Sequence, residues 1–373
     1  MHIETKLVHS ANDVDEGTGA ISPPIYLSTT FERSEQGEAS RGYSYVRDGN
    51  PTQSRLEEAL AAIDSAGAAL TFASGMAAGA SLLQSLPQGS HIVLPDDCYY
   101  GYRALAEDYF EQWGLSFDAV AMEDLDAVRA AMRDETRLVW SESPSNPLLK
   151  VVDLAALGEI AHARGALLLT DGTFATPVLQ RPLELGADMV LHSTTKYLGG
   201  HSDVQGGSLA FKRGDALFER VLHTRKLVGG VASPFNSWLV LRGMRTLAAR
   251  MRVHSENAMA VARFLSGHAR VEAVYYPGLP SHPRHDIARR QMSAFGGMLS
   301  FLVRGTRAET LAVAAKSRLF VRATSLGGVE SLIEHRQSSE GEGSRTADNL
   351  LRLSVGLEHP DDLIEDLDEA LSV

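Results

Sequence analysis

The 373-residue sequence predicts an α/β protein: a mostly parallel sheet in a large domain, followed by a smaller α/β C-terminal domain. From about residue 68, short apolar runs alternate with amphipathic stretches of helical period. The runs are continuously apolar rather than alternating, the pattern of strands covered on both faces. From about residue 234 the texture changes to one long helical stretch followed by more widely spaced strands.

Taken in order, Ala69–Phe72 reads as a strand and Ala77–Leu86 as a helix. His91–Leu94 is a strand, Tyr102–Gln112 and Leu125–Met132 are helices, and Arg137–Trp140 is a strand. Leu154–Arg164 is a helix, with Gly165 placed to end it. Ala166–Thr170 and Asp188–His192 are strands. Pro234–Leu265 is one long helix or a pair kinked near Gly243. Strands at Ala273–Tyr276, Met298–Val303, Leu319–Val321 and Leu350–Val355 follow, then a helix at Pro360–Leu371. Residues 1–50 are rich in turn formers and read as an arm, and the polar stretch Gln337–Thr346 reads as a loop. The expected division is an arm over 1–50, a large domain over 51–233 and a small domain over 234–373.

With 35 basic and 47 acidic side chains the formal charge is −12, which disfavours nucleic acid and anionic membrane as partners. The single cysteine, Cys98, allows neither an internal disulfide nor a cysteine-based metal cluster. Residues 65–86 carry no charge, but they are mostly Ala, Gly and Ser and are broken by Ser74-Gly75, so they read as strand, turn and helix rather than a membrane span. The start, Met1 to Lys6, lacks the apolar core of a signal peptide, and a cytoplasmic protein is expected. A metal site on His282 and His285 has no nearby acidic ligand, and the two read as surface residues; no metal is expected.

In such a sheet chemistry collects beyond the C-terminal ends of the strands, which brings Glu142 to Asn146, Asp171, and His192 to Lys196 to one edge. Lys196 follows a buried strand within Ser193-Thr194-Thr195-Lys196, before Gly199-Gly200. A lysine short of water there favours its neutral amine, which can attack an aldehyde and form a Schiff base, while Ser193 and Thr195 suit a phosphate. A surface turn with a solvated lysine fits the segment alone equally well. Asp171 could be a metal ligand, a base or a helix N-cap, or could pair with a protonated pyridine. Ser74-Gly75-Met76-Ala77 could bind phosphate at a helix start, or could be small for packing. Neither a G-x-G-x-x-G nor a P-loop pattern marks a nucleotide site. Tyr99 could stack on a planar group or pack at an interface.

Together these segments resemble, in order and along nearly the full chain, the Cys/Met-metabolism PLP-dependent (trans-sulfuration) family. The resemblance is carried by Gly19-Ala20-Ile21-Ser22-Pro23-Pro24-Ile25-Tyr26, Tyr45-Val46-Arg47, Asn50-Pro51-Thr52, Ala73 to Met76 and Asp97-Cys98-Tyr99. It continues in Glu142-Ser143-Pro144-Ser145-Asn146-Pro147, Asp171, Ser193 to Gly200, Ser325-Leu326-Gly327-Gly328 and Leu351-Arg352-Leu353-Ser354. It implies the fold type I, aspartate aminotransferase-like architecture, with pyridoxal 5'-phosphate (PLP) held by Lys196. It further implies Asp171 at the ring nitrogen, Tyr99 on the ring and as a second acid/base, and Asn146 near the ring hydroxyl. Gly75, Met76, Ser193 and Thr195 would grip the phosphate. Ser325 and Arg352 would bind the substrate, a small sulfur amino acid, with Arg352 on its α-carboxylate. Tyr45 and Arg47 would reach phosphate and substrate of a neighbouring subunit, so the resemblance implies a dimer with shared sites, usually paired into a tetramer.

Several positions depart from the family's commoner residues. Thr324 precedes Ser325 where Glu is frequent, Asp48 follows Arg47 where some synthases place Arg, and Arg103 stands four residues after Tyr99 rather than five. Gly101 takes the place of a reactive Cys in methionine γ-lyases, Gly172 that of Asn, and His335-Arg336-Gln337 that of a His-Pro run. Asp48 should repel an anionic acyl-homoserine tail. The expected activity is a cystathionine γ-lyase, ahead of cystathionine γ-synthase and cystathionine β-lyase. A catalytically silent PLP-binding protein is the reading from another class; binding alone does not require Arg352.

Overall fold

The computed structural model describes residues 1–341 and 344–372. Seven strands form the first sheet: β1 (Ala68–Phe72), β2 (His91–Pro95), β3 (Ser116–Val120), β4 (Thr136–Glu142), β5 (Leu167–Asp171), β6 (Met189–His192) and β7 (Gly207–Phe211). Their order is β1-β7-β6-β5-β4-β2-β3. The run from β3 to β6 is parallel, whereas β7 lies antiparallel to both β1 and β6. The inner strands are apolar because both faces are covered: Leu138, Val139, Trp140, Leu168 and Leu169 are fully buried.

The second sheet has five strands, β8 (Val271–Tyr275), β9 (Met298–Val303), β10 (Val321–Arg322), β11 (Leu332–His335) and β12 (Leu350–Ser354), in the order β10-β11-β12-β9-β8. All its pairings except β10 with β11 are antiparallel. Alternation along β12 sorts its faces. Leu351 and Leu353 pack into a core with Leu363 and Leu367 of the helix Pro360–Leu371, while Arg352 points the other way. Arg352 lies opposite Glu334 of β11 and Ser300 of β9, and the Ser300 hydroxyl donates to the Pro147 carbonyl at 2.7 Å. That contact joins the polar face of the second sheet to the loop after β4.

The predicted elements are present with shifts of a few residues, and the long helical stretch is a pair, Pro234–Met244 and Leu247–Gly267. Gly165 takes a left-handed φ of +69° just past its helix. Strands β3, β7 and β11 go beyond the sequence reading. β3 is a half-exposed edge interrupted by Asp118, β7 begins on glycine, and β11 carries Glu334 and His335, so none shows a continuous apolar run. The arm contains a helix, Ile3–His9, set against the helix Pro51–Asp64. Within the stretch read as a loop, Arg336–Glu340 is a short helix; positions 342 and 343 of that stretch lie outside the described residues. His282 is buried, not at the surface, with Nε2 3.1 Å from the Leu149 carbonyl. Among the described residues no helix is long and apolar enough to cross a membrane.

Candidate active site

Parallel register decides what meets at the strand ends. Glu142 stands beside Asp171, and Asp171 beside Leu191, so the residues after β4, β5 and β6 open onto one cavity of about 360 Å³. The polar face of β11 and β12 closes its other side with Glu334 and Arg352. Of the predicted site residues, Gly75, Met76, Tyr99, Asn146, Asp171, Ser193, Thr195, Lys196, Ser325 and Arg352 all line this cavity. Tyr45 and Arg47 do not: Tyr45 is exposed, and Arg47 lies over its ring at 5.5 Å and donates to the Lys226 carbonyl at 3.0 Å.

The Lys196 amine donates to the Ser325 hydroxyl at 2.7 Å. Burial pushes its pKa down to about 8, with Arg352 acting in the same direction and Glu334 against it. A usable fraction is therefore neutral near physiological pH, and an amine in that state is a nucleophile and a base. Ser325 holds its hydroxyl there from a left-handed backbone, φ +81°, a conformation that costs a non-glycine residue about 1 kcal/mol or more.

Asp171 receives the Thr173 backbone N–H at 2.9 Å and does not cap a helix. Burial raises its pKa against the bonds from Thr173, and burial together with Asp171 raises that of Glu142. Behind them His192, fully buried, pairs with Asp64 at 3.1 Å. Gly172 leaves room for that ring, since a Cβ there would lie 3.0 Å from His192 Cε1.

The helix Gly75–Gln84 starts at the cavity, with the Ser74 hydroxyl accepting the Ala77 N–H at 3.0 Å. First-turn N–H groups have no acceptor within the helix and favour an anion. A Cβ on Gly75 would stand 3.2 Å from the Ser193 Cβ, so the glycine lets helix start and Ser193 share one corner. The Thr195 hydroxyl is turned to Gly206, donating to its carbonyl at 3.1 Å and accepting its N–H at 3.0 Å. Tyr99 anchors its backbone N–H on Glu142 at 2.8 Å and keeps its ring half-exposed in the cavity. Gly101 is needed beneath it: a Cβ would come within 2.7 Å of the Tyr99 ring and 2.9 Å of Met76 Sδ.

An amine of lowered pKa, a buried carboxylate and a glycine-opened helix start facing one cavity fit a phosphorylated pyridine aldehyde. Arg352 donates to Asn146 Oδ1 at 2.8 Å and to the Ser325 carbonyl at 2.9 Å, and is in contact with Glu334. Arg103 stacks over Tyr100 at 5.6 Å and stays out of the cavity lining. Sequence reasoning missed Glu334 and Glu340 and gave Arg336 no role, though all three line the cavity. The available signal was the alternation of Glu334 and Arg336, in a stretch given no element, and the helical spacing of Arg336 and Glu340, the second of which falls in the stretch read as a loop.

Comparison with known proteins gives a consistent family and divided activities. Residues 4–372 match the family described as Cys/Met metabolism PLP-dependent enzyme. A cystathionine gamma-synthase of Mycobacterium tuberculosis is 48% identical, covering 98% of this chain and 96% of its own. A cystathionine beta-lyase of Coxiella burnetii is 45% identical, covering 99% of this chain and 98% of its own. The crystal structure of a cystathionine gamma-lyase from Lactobacillus plantarum, complexed with L-serine, superposes with a TM-score of 0.94 at 38% identity, covering 100% of this chain and 99% of that one.

Proposed function

The chain belongs to the Cys/Met metabolism PLP-dependent enzyme family, and from that premise we propose that it is a cystathionine γ-lyase, yielding cysteine, 2-oxobutanoate and ammonia. Members of this family are PLP-dependent enzymes of trans-sulfuration acting on C–S bonds of small sulfur amino acids. The observation that carries the proposal is the Lys196 amine, lowered to about 8 and 2.7 Å from Ser325 in a cavity that also holds Arg352. Between the lyase and synthase readings, the exposed Asp48 beside Arg47 tells against an anionic acyl tail.

Lys196 would hold the cofactor, Asp171 face its ring nitrogen, Tyr99 its ring and Asn146 its hydroxyl. Gly75, Met76, Ser193 and Thr195 would surround its phosphate. When bound, PLP supplies an aldehyde for the substrate amine and a ring that takes up charge from the adjacent carbon. Arg352 orients the substrate by its α-carboxylate, and Ser325 steadies the Lys196 amine once it is free. Lys196 Nζ would take the proton from the substrate's α-carbon, release it to the bound cofactor and so regain its lone pair, take a second proton from the β-carbon, and give that one to the sulfur as it departs. The Cγ–S bond breaks, the sulfur leaves as the thiol of cysteine, and water releases the four-carbon remainder as 2-oxobutanoate and ammonia. Tyr99, at the mouth, is the second acid/base. The same proposal assigns 51–233 to a large PLP-binding domain and 234–373 to a small one. The arm 1–50 lends Tyr45 and Arg47 to a neighbouring subunit in a dimer or tetramer, and the location is cytoplasmic, in keeping with a lone cysteine.

A second reading, γ-replacement of the acyl group of an O-acyl-L-homoserine by cysteine, is favoured by the 48% identity to the mycobacterial synthase. Incubating the purified protein with L-cystathionine separates the readings by the keto acid released. 2-Oxobutanoate supports γ-cleavage and pyruvate means β-cleavage. No keto acid, with cystathionine formed from cysteine and an O-acylhomoserine, means synthesis. Bound cofactor without turnover would mean a silent binding protein.

A further inference from the structure

Four charged side chains are buried together on the wall of the cavity formed by β11, β12 and the short helix after β11: Glu334, Arg336, Glu340 and Arg352 are each no more than 9% exposed. Buried charges persist only when paired, and these pair in a row. Glu334 is shared. It contacts Arg352 Nη2, and both its oxygens lie 3.2 Å from Arg336 Nη1. Arg336 Nη2 donates to Glu340 Oε1 at 3.0 Å, and the other Glu340 oxygen receives the hydroxyls of Ser344 at 2.6 Å and Thr346 at 2.8 Å. Two guanidiniums thus balance two carboxylates.

A substrate α-carboxylate upsets that balance. Arg352 Nη2 is spent on the Ser325 carbonyl and Glu334, and Nη1 already serves Asn146. Asn146 takes a single Nη1 N–H and the Ser325 carbonyl is backbone and stays, so for a carboxylate to meet the planar fork at Nη2 the partner that yields is Glu334. Glu334 can leave only if a second cation keeps it, because three carboxylates around one guanidinium would repel in a site with little water. We propose that Arg336 is a positioning residue for substrate capture: it retains Glu334 when the substrate's α-carboxylate takes Glu334's place on Arg352. The exchange is a swap of ion-pair partners with no bond made or broken and no proton moved. Glu340, tied to Ser344 and Thr346, keeps Arg336 from following.

The inference rests on the reading of Arg352 as the carboxylate site, and its test keeps the two apart. L-Norvaline, an amino acid with no leaving group, and its amide, which lacks the carboxylate, are titrated into holoenzyme and followed by the change in cofactor absorbance. Arg336→Met should weaken norvaline about tenfold or more and change the amide less than about twofold. Adding Glu334→Gln to that variant should bring norvaline back to within about threefold of the parent, since the competing charge is gone. Unchanged norvaline binding in Arg336→Met, equal weakening of acid and amide, or no rescue by Glu334→Gln overturns the proposal. Should Arg336→Met not fold, Glu334→Gln alone decides: norvaline should bind several-fold tighter, and unchanged or weaker binding overturns it. Arg352→Met should abolish the preference for acid over amide. If it does not, the reading of Arg352 falls and the inference with it; if it does while Arg336→Met is silent, the inference alone falls.

Discussion

The wall of the cavity that carries Lys196 and the wall that carries Arg352 hold their charged groups by different means. Glu142 and Asp171 end adjacent strands and Lys196 follows the next, so the register of the first sheet places them and backbone geometry does the orienting. Asp171 is supported by Thr173, two residues on, Glu142 by the N–H of Tyr99 after the neighbouring strand β2, and the Lys196 amine alone reaches across, to Ser325. Arg352 instead sits within β12 and is held by side chains and carbonyls from three other segments, at Asn146, Ser325 and Glu334. On the function proposed above, the first wall is the frame for a cofactor that stays, and the second holds ion pairs that would exchange with a substrate carboxylate.

Substitutions on the two walls should therefore fail differently. The largest effect belongs to the first wall. Lys196→Arg should cut turnover of L-cystathionine by about 10³-fold or more, because a guanidinium neither condenses with an aldehyde nor removes a proton near neutrality. Full retention of kcat would show that the chemistry does not run through this amine. On the second wall, Arg352→Lys should raise KM about 10²-fold while lowering kcat much less, since a point charge cannot replace the planar fork that meets Asn146, Ser325 and a carboxylate together. A matching fall in kcat with KM unchanged would erase the distinction between the walls.

A pH measurement sharpens the first wall further. The neutral amine is the species that reacts, so the rate at which apoprotein captures PLP covalently should climb with pH and level off above about 8. A flat profile through that range contradicts the lowered pKa. The sign carries over to stability. The folded amine sheds its proton at about 8 and the unfolded one at about 10.5, so between those values the unfolded chain binds more protons and this group's contribution to stability rises with pH. The smallest expected effect tests the backbone where the walls touch. Ser325→Gly should be more stable than Ser325→Ala by about 1 kcal/mol in urea midpoints, because both lose the hydroxyl and only alanine keeps the strain at φ +81°.

The first wall is largely legible in the sequence. Continuous apolar runs ending at Trp140, Thr170 and His192 marked the strands, and the polar residues just beyond each run had to share one edge whatever the details of packing. The second wall is not. Arg352 stands out through the resemblance of its motif, but its partners are hidden because Glu334 and His335 leave β11 no continuous apolar run to mark it as a strand. Likewise β7 carries too few residues between glycine and charge to announce an antiparallel strand.

The sequence by itself determined the alternation of strands and helices, the strand ends where the cavity opens and the lysine around which the proposed chemistry turns. The alternation and the strand ends follow from the period of apolar residues; the lysine is singled out by the resemblance of the motif around it. Only the tertiary structure decided that Glu334 lies across from Arg352, that Ser325 comes 129 residues along the chain to meet Lys196, and that Arg336 and Glu340 join the cavity. Such pairings depend on which strands become neighbours, and charges far apart in sequence carry no periodic signal of the partner they will find when water is removed.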